Sequence, residues 1–235
     1  MERLLTGNST EQTWCTLTSY GTGWGKHQLC SLTSFIKPDG YCTFWSFGTS
    51  TDASFDVDLI AKHNCHGMAL DPSVSYPTNL LGDKAVFMQM GAKLKESATY
   101  LPSPGAWFLA NVPLLAKALS IERLQVLKMD CEGCEYSLAD DIIKHDELFL
   151  DKVDQFAIEV HTSALIAKTR DHALALGRLY HLLQEAGLEL VHAAVQYCND
   201  EHAAYGHQAE FVAVGYPHSR NDYCQNLLFA KRNKA

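Results

Sequence analysis

Gln125-Val-Leu-Lys-Met-Asp-Cys-Glu-Gly-Cys-Glu-Tyr136 is the stretch that decides the fold of this chain. Its first half is a short apolar run typical of a buried strand, and after Gly133 the apolar residues recur with a period near 3.6. The stretch therefore predicts a strand, a tight turn and a helix. Three carboxylates, those of Asp130, Glu132 and Glu135, lie at the junction. In an open α/β sheet such a junction is the carboxyl end of a strand, where ligands bind.

A structural role remains open for two of these acids. Acidic side chains favour the first turn of a helix because they complement its dipole. That effect alone explains Glu135 and can explain Glu132. Asp130 ends the strand rather than starting the helix, so we expect it to take part in the chemistry.

Strands and helices alternate on both sides of the stretch. Strands are predicted at 41–47, 67–70, 85–90, 125–129 and 155–160, and helices at 54–64, 112–120, 136–150 and 171–186. Two further strands, 188–198 and 210–215, have no helix-length segment between them, which favours an antiparallel pair at a sheet edge. The pattern predicts an α/β fold, a Rossmann-like doubly wound sheet of seven strands, mostly parallel with an antiparallel last strand. We expect residues 41–235 to form this domain and residues 1–40 to be an N-terminal extension with a glycine-rich segment.

Composition excludes several classes of protein. The net charge is -8 and the basic residues are scattered, so nucleic acid is not an expected partner. No apolar run reaches the length of about 18 residues that a membrane span needs. The eight cysteines show no small-scaffold spacing, and we interpret them as free thiols in a reducing compartment, which predicts a cytoplasmic protein. Cys131 and Cys134 form a C-x-x-C motif, but a zinc site would need a second such pair.

The first predicted strand of the large domain is followed by a loop of small residues, Gly48-Thr-Ser-Thr-Asp52. The next strand ends at Asp71-Pro72, at about the spacing that separates the first loop of a Rossmann unit from its ribose-binding acid. An acid there can accept both ribose hydroxyls of an adenosine, although Asp71-Pro72 is also compatible with a simple turn. The glycine-rich stretch 19–27 either approaches a ligand or forms a turn, and the sequence does not separate the two.

Four segments, 46–56, 69–73, 127–136 and 158–161, resemble the successive motifs of FkbM-type methyltransferases and their methyltransferase-like relatives in class I. The K-x-D-x-E-G-x-E segment is the most specific of them. The resemblance implies S-adenosylmethionine as cofactor. Its expected contacts are Gly48, Thr49, Asp52, Ser54, Asp71, Pro72, Gly91 and Asp130. Many methyltransferases have an acid two residues before the first-loop glycine, where this chain has Ser46, which leaves open which group meets the cofactor's amino group.

The expected reaction is methyl transfer to a small-molecule acceptor, most plausibly to a hydroxyl oxygen, with an in-line geometry and a general base. His161 follows a predicted strand and is the expected base, with Glu132 as its partner or the alternative base and Asp130 as a cofactor contact. The same three residues could hold a divalent metal, which is not expected. N-methylation and a non-catalytic binding module are the alternatives, whereas a nicotinamide enzyme would need G-x-G-x-x-G after the first strand.

Residues 92–108 form a long segment that carries Trp107 and Tyr100 without clear periodicity. Loops of this length are uncommon in compact domains and often cover a binding site. We expect this segment to close over the acceptor. His207 and Glu210 are weaker candidates for the acceptor pocket. The identity of the acceptor and the oligomeric state are not determined by the sequence.

Overall fold

A computed structural model describes residues 14–36, 40–95, 107–162, 166–167, 169–196 and 224–232. Within these ranges the strands are, in chain order, β1 (Leu17–Tyr20), β2 (His27–Cys30), β3 (Thr43–Phe47), β4 (His66–Leu70), β5 (Ala85–Met88), β6 (Gly91–Ala92), β7 (Leu109–Ala110), β8 (Leu124–Met129), β9 (Val153–His161), β10 (Leu188–Gln196) and β11 (Cys224–Lys231). The helices are α1 (Ser54–His63), α2 (Val112–Ala118), α3 (Glu135–His145) and α4 (Arg170–Glu185).

A seven-stranded sheet in the order β10-β11-β9-β8-β3-β4-β5 forms the centre of the molecule. The pairs among β9, β8, β3, β4 and β5 are parallel, and β11 is antiparallel to both of its neighbours. The predicted fold, a mostly parallel doubly wound sheet with an antiparallel last strand, is confirmed. The antiparallel strand lies second from the edge and is formed by residues 224–231. The strand predicted at 210–215 lies outside the described residues.

Local sequence explains where the elements begin and end. Every residue of β8 and of β9 is buried, as expected for central strands with both faces covered. The Asn111 side chain caps α2 by accepting a hydrogen bond from the Leu114 N–H at 3.0 Å. Asn64, with φ of 54°, ends α1 in the left-handed conformation that asparagine tolerates. No helix in the described part of the chain combines the length and apolar character needed to cross a bilayer.

The two faces of the sheet bury separate apolar clusters. On one face α2, α3 and α4 pack against Trp45, Leu127 and Phe156. On the other face α1 and the β1–β2 hairpin pack against Phe44 and Val126. Polar side chains that point to this second face therefore lie between the sheet and the hairpin.

The N-terminal hairpin is part of this packed structure. Antiparallel pairing joins β1 to β2, and a disulfide links Cys15 to Cys30. The Gln155 side chain on β9 accepts from the Cys30 N–H at 2.7 Å and donates to the Cys30 carbonyl at 3.2 Å. The Tyr20 hydroxyl lies 2.7 Å from His63 Nε2 on α1. The hairpin is thus fixed to the large domain, and the boundary predicted at residue 40 stays a prediction.

The seven cysteines that the structure describes are disulfide-bonded, so the interpretation of free thiols is wrong for them. Disulfides join Cys15 to Cys30, Cys42 to Cys65 and Cys131 to Cys134, and Cys224 is also disulfide-bonded. Cys42 and Cys65 directly precede the neighbouring strands β3 and β4, whose pairing brings their Cα atoms within 4.3 Å. Such bonds are typical of oxidising environments. The argument for a reducing compartment rested on free thiols, so the cytoplasmic location stays a prediction.

Candidate functional site

The carboxyl ends of β3, β4 and β8 meet at Gly48. The Gly48 N–H donates to the Leu70 carbonyl at 2.8 Å, and the Asp130 N–H donates to the Phe47 carbonyl at 3.0 Å. Gly48 has φ of +78°, and a Cβ atom there would lie 1.5 Å from the Asp130 carbonyl oxygen. Only glycine allows this approach, because any side chain would push the two strand ends apart.

Asp71 organises the neighbouring loops at the same edge of the sheet. One of its oxygens accepts from the Ser50 N–H at 2.7 Å, and the other accepts from the Ser73 N–H at 2.8 Å and its hydroxyl at 2.6 Å. Pro72, the residue after Asp71, packs against Gly91. A Cβ atom on Gly91 would be 2.8 Å from Pro72 Cγ. The structure therefore brings Asp71, Pro72 and Gly91 close to the first loop.

Lys128, which is buried, and Asp130, which is partly exposed, form a charged pair beside Gly48. The Lys128 ammonium donates to the Gly48 carbonyl at 2.7 Å and lies 3.6 Å from Asp130 Oδ2. Burial is the largest single effect on the Asp130 carboxyl and raises its pKa, but the combined effect of Lys128, His27 and His161 is larger and the pKa is lowered. Asp130 is therefore ionised, as a residue facing a cationic ligand requires.

His161, at the end of β9, lies between two carboxylates. Its Nδ1 is 3.3 Å from Glu135 Oε1, which also accepts from the His161 N–H at 3.0 Å, and its Nε2 is 3.7 Å from Glu159 Oε1. Burial lowers the pKa of His161, but Glu135, Glu159 and Asp130 together raise it to about 10. The imidazole therefore holds a proton at neutral pH.

Glu135 and Glu159 are the two buried carboxylates beside His161. Glu135 begins α3, is 1% exposed, and its second oxygen accepts from the Gly133 N–H at 2.8 Å. Glu159 is also buried, and burial, with the negative charge of Asp130, raises its pKa to about 7. A group with this pKa exchanges a proton near neutral pH, which is what acid–base catalysis needs.

Glu132 has φ of +47°, a conformation that non-glycine residues seldom adopt. The carboxylates that the structure places against the His161 ring are Glu135 and Glu159. The role of Glu132 as partner of His161 or as alternative base stays a prediction.

His27, at the start of β2, reaches the site from the N-terminal hairpin. The side chain is 3% exposed, and its Nε2 lies 3.9 Å from Asp130 Oδ2. Burial and the nearby charge of Lys128 lower the pKa of His27 to about 4, so the ring is neutral at pH 7. Phe55 holds it by an edge contact, with 5.5 Å between ring centroids.

Several buried polar atoms around these residues have no hydrogen-bond partner within the described ranges. They include His27 Nε2 and Thr49 Oγ1, whereas Ser46 Oγ and the Asp56 carboxyl, also buried, interact with each other. Asp56 lies in the first turn of α1, and burial raises its pKa to about 6 although Lys128 opposes the shift. An unsatisfied buried group costs about 1–3 kcal/mol, so a cluster of them indicates a ligand that completes their hydrogen bonds.

Two of the predicted cofactor residues also attach the hairpin. Asp52 accepts from the Gly25 N–H at 3.2 Å and from the Ser54 N–H at 3.0 Å. The Ser54 hydroxyl accepts from the Thr22 N–H at 2.9 Å. The glycine-rich segment therefore lies directly on the first loop. Residues 21–26 connect β1 to β2 and contain a 3-10 turn at Gly23–Gly25, so the turn is observed and the approach to a ligand stays a prediction.

Glu159, His161 and Cys224 place ligand atoms within 4.8 Å of one another, but Cys224 is disulfide-bonded and offers no thiolate. The carboxylates and the imidazole at this edge are side chains of the kind that bind divalent metals. Metal binding by Asp130, Glu132 and His161 stays an alternative that is not expected.

Sequence reasoning missed three residues of this site. The sequence places Glu135 at the junction but also explains it by the helix dipole, puts Glu159 inside a strand with no assigned role, and gives His27 only as the end of the glycine-rich stretch 19–27. The acidity of the junction could have indicated Glu135, but nothing local marks His27. Tyr100, His207 and Glu210 lie outside the described residues.

Comparison with known proteins identifies the chain at the level of its family. A family model described as a methyltransferase domain matches residues 11–208. No curated protein matches the chain. Solved structures with a similar arrangement include the human methyltransferase 10 domain containing protein, with 11% identity, TM-score 0.39, and coverage of 86% of this chain and 78% of that chain. The METTL16 methyltransferase domain has 11% identity and TM-score 0.41, with coverage of 86% and 64%. The plantazolicin methyltransferase BamL has 12% identity and TM-score 0.39, with coverage of 86% and 84%.

The family match covers most of the chain, including the hairpin, the first loop, Asp71 and the junction after β8. The central sheet has seven strands and is mostly parallel with an antiparallel last strand, as the sequence predicted. The chain therefore belongs to the methyltransferase domain family and is a class I S-adenosylmethionine-dependent methyltransferase.

Proposed function

We propose that this protein methylates a hydroxyl oxygen of a small-molecule acceptor at the carboxyl ends of β3, β4, β8 and β9. The observation that carries the proposal is the convergence of Asp130, Glu159 and His161 on this edge, beside buried polar atoms that lack partners. The resemblance of the motifs to FkbM-type enzymes supports the same acceptor class and remains part of the proposal.

The first loop and its surroundings fit the cofactor. Thr49 Oγ1, next to Gly48, is buried and has no hydrogen-bond partner among the described residues. Asp71 keeps acceptor capacity, since each carboxylate oxygen has about two lone-pair sites. We assign Gly48, Thr49 and Asp130 to the methionine end and Asp71 to the ribose. When bound, S-adenosylmethionine supplies a methyl group on a sulfonium, which an acceptor oxygen attacks in line.

Glu159 rather than His161 is the group that takes the acceptor's proton. A base must be unprotonated, and His161 already carries a proton at neutral pH. Glu159, with a pKa of about 7, is ionised in a large fraction of molecules and can accept the hydroxyl proton. His161 stabilises the Glu159 carboxylate through Nε2, while Glu135 fixes the opposite side of the ring. The proton leaves the acceptor oxygen and ends on Glu159.

The burial of Glu159 and His161 favours an acceptor whose reacting hydroxyl is not surrounded by bulky substituents. Glu159 and His161 are 7% and 5% exposed, so the reacting atom has to enter between covered walls. The segment between Gly91 and Ala110 begins and ends at this edge, because β6 pairs in parallel with β7. Phe108, directly before β7, is 70% exposed and provides an apolar surface on this segment. These features support the role of this segment as a cover for the acceptor.

Calorimetric titration with S-adenosylmethionine and S-adenosylhomocysteine, each with and without EDTA, is the first test. We expect micromolar binding that EDTA does not change. Transfer of radiolabelled methyl groups to mixtures of small hydroxyl compounds and of amines then separates O- from N-methylation. Binding without transfer to either mixture would favour the binding-module alternative.

The base is tested with Glu159→Gln, and Glu185→Gln on the exposed part of α4 is the matched control. The first substitution should lower the rate of transfer at least 100-fold while S-adenosylhomocysteine affinity stays within a few fold. The second should change neither. Full activity of Glu159→Gln would refute the assignment of the base.

A further inference from the structure

The N-terminal hairpin places the His27 side chain in the site, 3.9 Å from Asp130. His27 is almost completely buried, and its Nε2 has no hydrogen-bond partner among the residues that the structure describes. The family resemblance assigned no role to this segment. A buried polar atom of this kind needs a partner from outside the chain, because leaving it unpaired is costly.

The position of the His27 ring is fixed from several sides. The backbone N–H groups of Gly21 and Gly25 donate to Asp58 at 2.9 Å and to Asp52 at 3.2 Å. The Cys15–Cys30 disulfide closes the base of the hairpin, and Phe55 contacts the ring at its edge. The hairpin cannot easily turn His27 away from the site, so its orientation is a property of the fold.

The gap between His27 and Asp130 has the dimensions of a shared ligand group. Nε2 and Oδ2 are 3.9 Å apart, which is too long for a direct hydrogen bond. A donor placed about 2.9 Å from both atoms would satisfy the two of them at once. An ammonium group carries three N–H donors and a charge opposite to that of Asp130, and it would share Asp130 Oδ2 with Lys128, whose Nζ lies 3.6 Å from that oxygen.

The charge state of His27 agrees with this partner. Lys128 and burial keep the ring neutral, so Nε2 can accept a hydrogen bond, which an imidazolium could not do.

We infer that His27 is a cofactor-binding residue whose Nε2 accepts a hydrogen bond from the α-ammonium group of S-adenosylmethionine, held between His27 and Asp130. The inference rests on the proposed function, because it takes the cofactor and its methionine end as placed there.

The test compares two ligands that differ only at the methionine end. S-adenosylhomocysteine carries the ammonium group, whereas 5′-methylthioadenosine lacks the whole amino-acid portion. His27→Phe keeps a ring beside Phe55 but removes the nitrogen. His66→Phe makes the same change at the start of β4, where the His66 ring contacts Tyr41. Dissociation constants of both ligands are measured by calorimetry for the wild type and for both variants.

We expect His27→Phe to weaken S-adenosylhomocysteine binding at least tenfold, about 1.4 kcal/mol, and to leave 5′-methylthioadenosine binding within twofold. His66→Phe should change neither. An equal loss for both ligands would show an effect of pocket shape and would overturn the inference, as would an unchanged affinity for both.

A second pair of variants keeps the test decisive if His27→Phe does not fold. A glutamine at position 27 places its amide oxygen near the original Nε2, whereas an asparagine is too short to reach it. His27→Gln should therefore bind S-adenosylhomocysteine more tightly than His27→Asn, and equal affinities would refute the inference. If the wild type bound neither S-adenosylmethionine nor S-adenosylhomocysteine, the proposed function itself would fail, which is a different outcome from an unaffected His27 variant.

Discussion

Replacing Glu135 by glutamine should destabilise the protein far more than an ordinary change at a helix start. The carboxylate accepts from two backbone N–H groups, those of Gly133 and His161, and faces His161 Nδ1. Glutamine keeps one acceptor oxygen, and its NH₂ group then points at an N–H donor. The substitution also leaves the protonated His161 without its nearest counter-charge.

The expected loss follows from the burial of the pair. Glu135 and His161 are 1% and 5% exposed, and removal of one partner of a buried ion pair costs about 3–5 kcal/mol. Urea denaturation followed by circular dichroism measures the free energy of unfolding. Asp140→Asn is the matched control, because Asp140 is also an ion-paired acid on α3 but its side chain is 49% exposed. Exposed pairs contribute about 0–1 kcal/mol, so the control should unfold almost like the wild type.

The protonation of His161 gives an independent measurement of the same contact. Titration of its ring by NMR should show a pKa lower in Glu135→Gln than in the wild type, because the hydrogen bond and charge of Glu135 raise it. If the two variants unfolded alike and the pKa of His161 did not move, Glu135 would not be the group that holds His161.

Three further outcomes test other parts of the site. Asp71→Ala should weaken S-adenosylhomocysteine binding more than tenfold, about 1.4 kcal/mol, because it removes a charged hydrogen-bond acceptor. The control Asp83→Ala, on an exposed loop, should leave the affinity unchanged. Equal affinities of the two variants by calorimetry would contradict the assignment of Asp71 to the ribose. Gly48→Ala should lower the melting temperature and abolish cofactor binding, because its Cβ would lie 1.5 Å from the Asp130 carbonyl oxygen, and a stable variant that binds would be inconsistent with the packing. The free energy of unfolding should fall as pH rises from 6.5 to about 10. Folding raises the pKa of His161 from 6.5 to about 10, so over this range His161 binds a proton only in the folded state. A free energy of unfolding that does not change with pH would show that His161 is not held as an imidazolium.

The sequence predicted the sheet well because its strongest signals are local. The apolar run at 125–129, the turn at Gly133 and the periodic helix that follows are all visible in neighbouring residues, and the structure confirms each of them. The acid at 71 was likewise found by its distance from the first loop. These features depend on backbone propensity and spacing, which a single chain shows directly.

The missed features depend on contacts between distant segments. The Cys15–Cys30 bond spans 15 residues, Gln155 reaches Cys30 across 125 residues, and no periodicity predicts either contact. Glu135 looks like any acid in a first helical turn until α3 is packed beside β9. His27 acquires its place only after the hairpin docks on α1, so its role could not be read from the residues around it.

The position of β11 also affects how the polypeptide can be made and shortened. In the sheet order, β9 and β10 are joined through residues 224–231, which hydrogen-bond to both. During synthesis β9 and β10 leave the ribosome before β11. The strand edges that later pair with β11 therefore stay unpaired until residues 224–231 have been made. Open edges recruit strands from other molecules. A nascent or truncated polypeptide that ends before Cys224 is therefore expected to depend on chaperones and to aggregate.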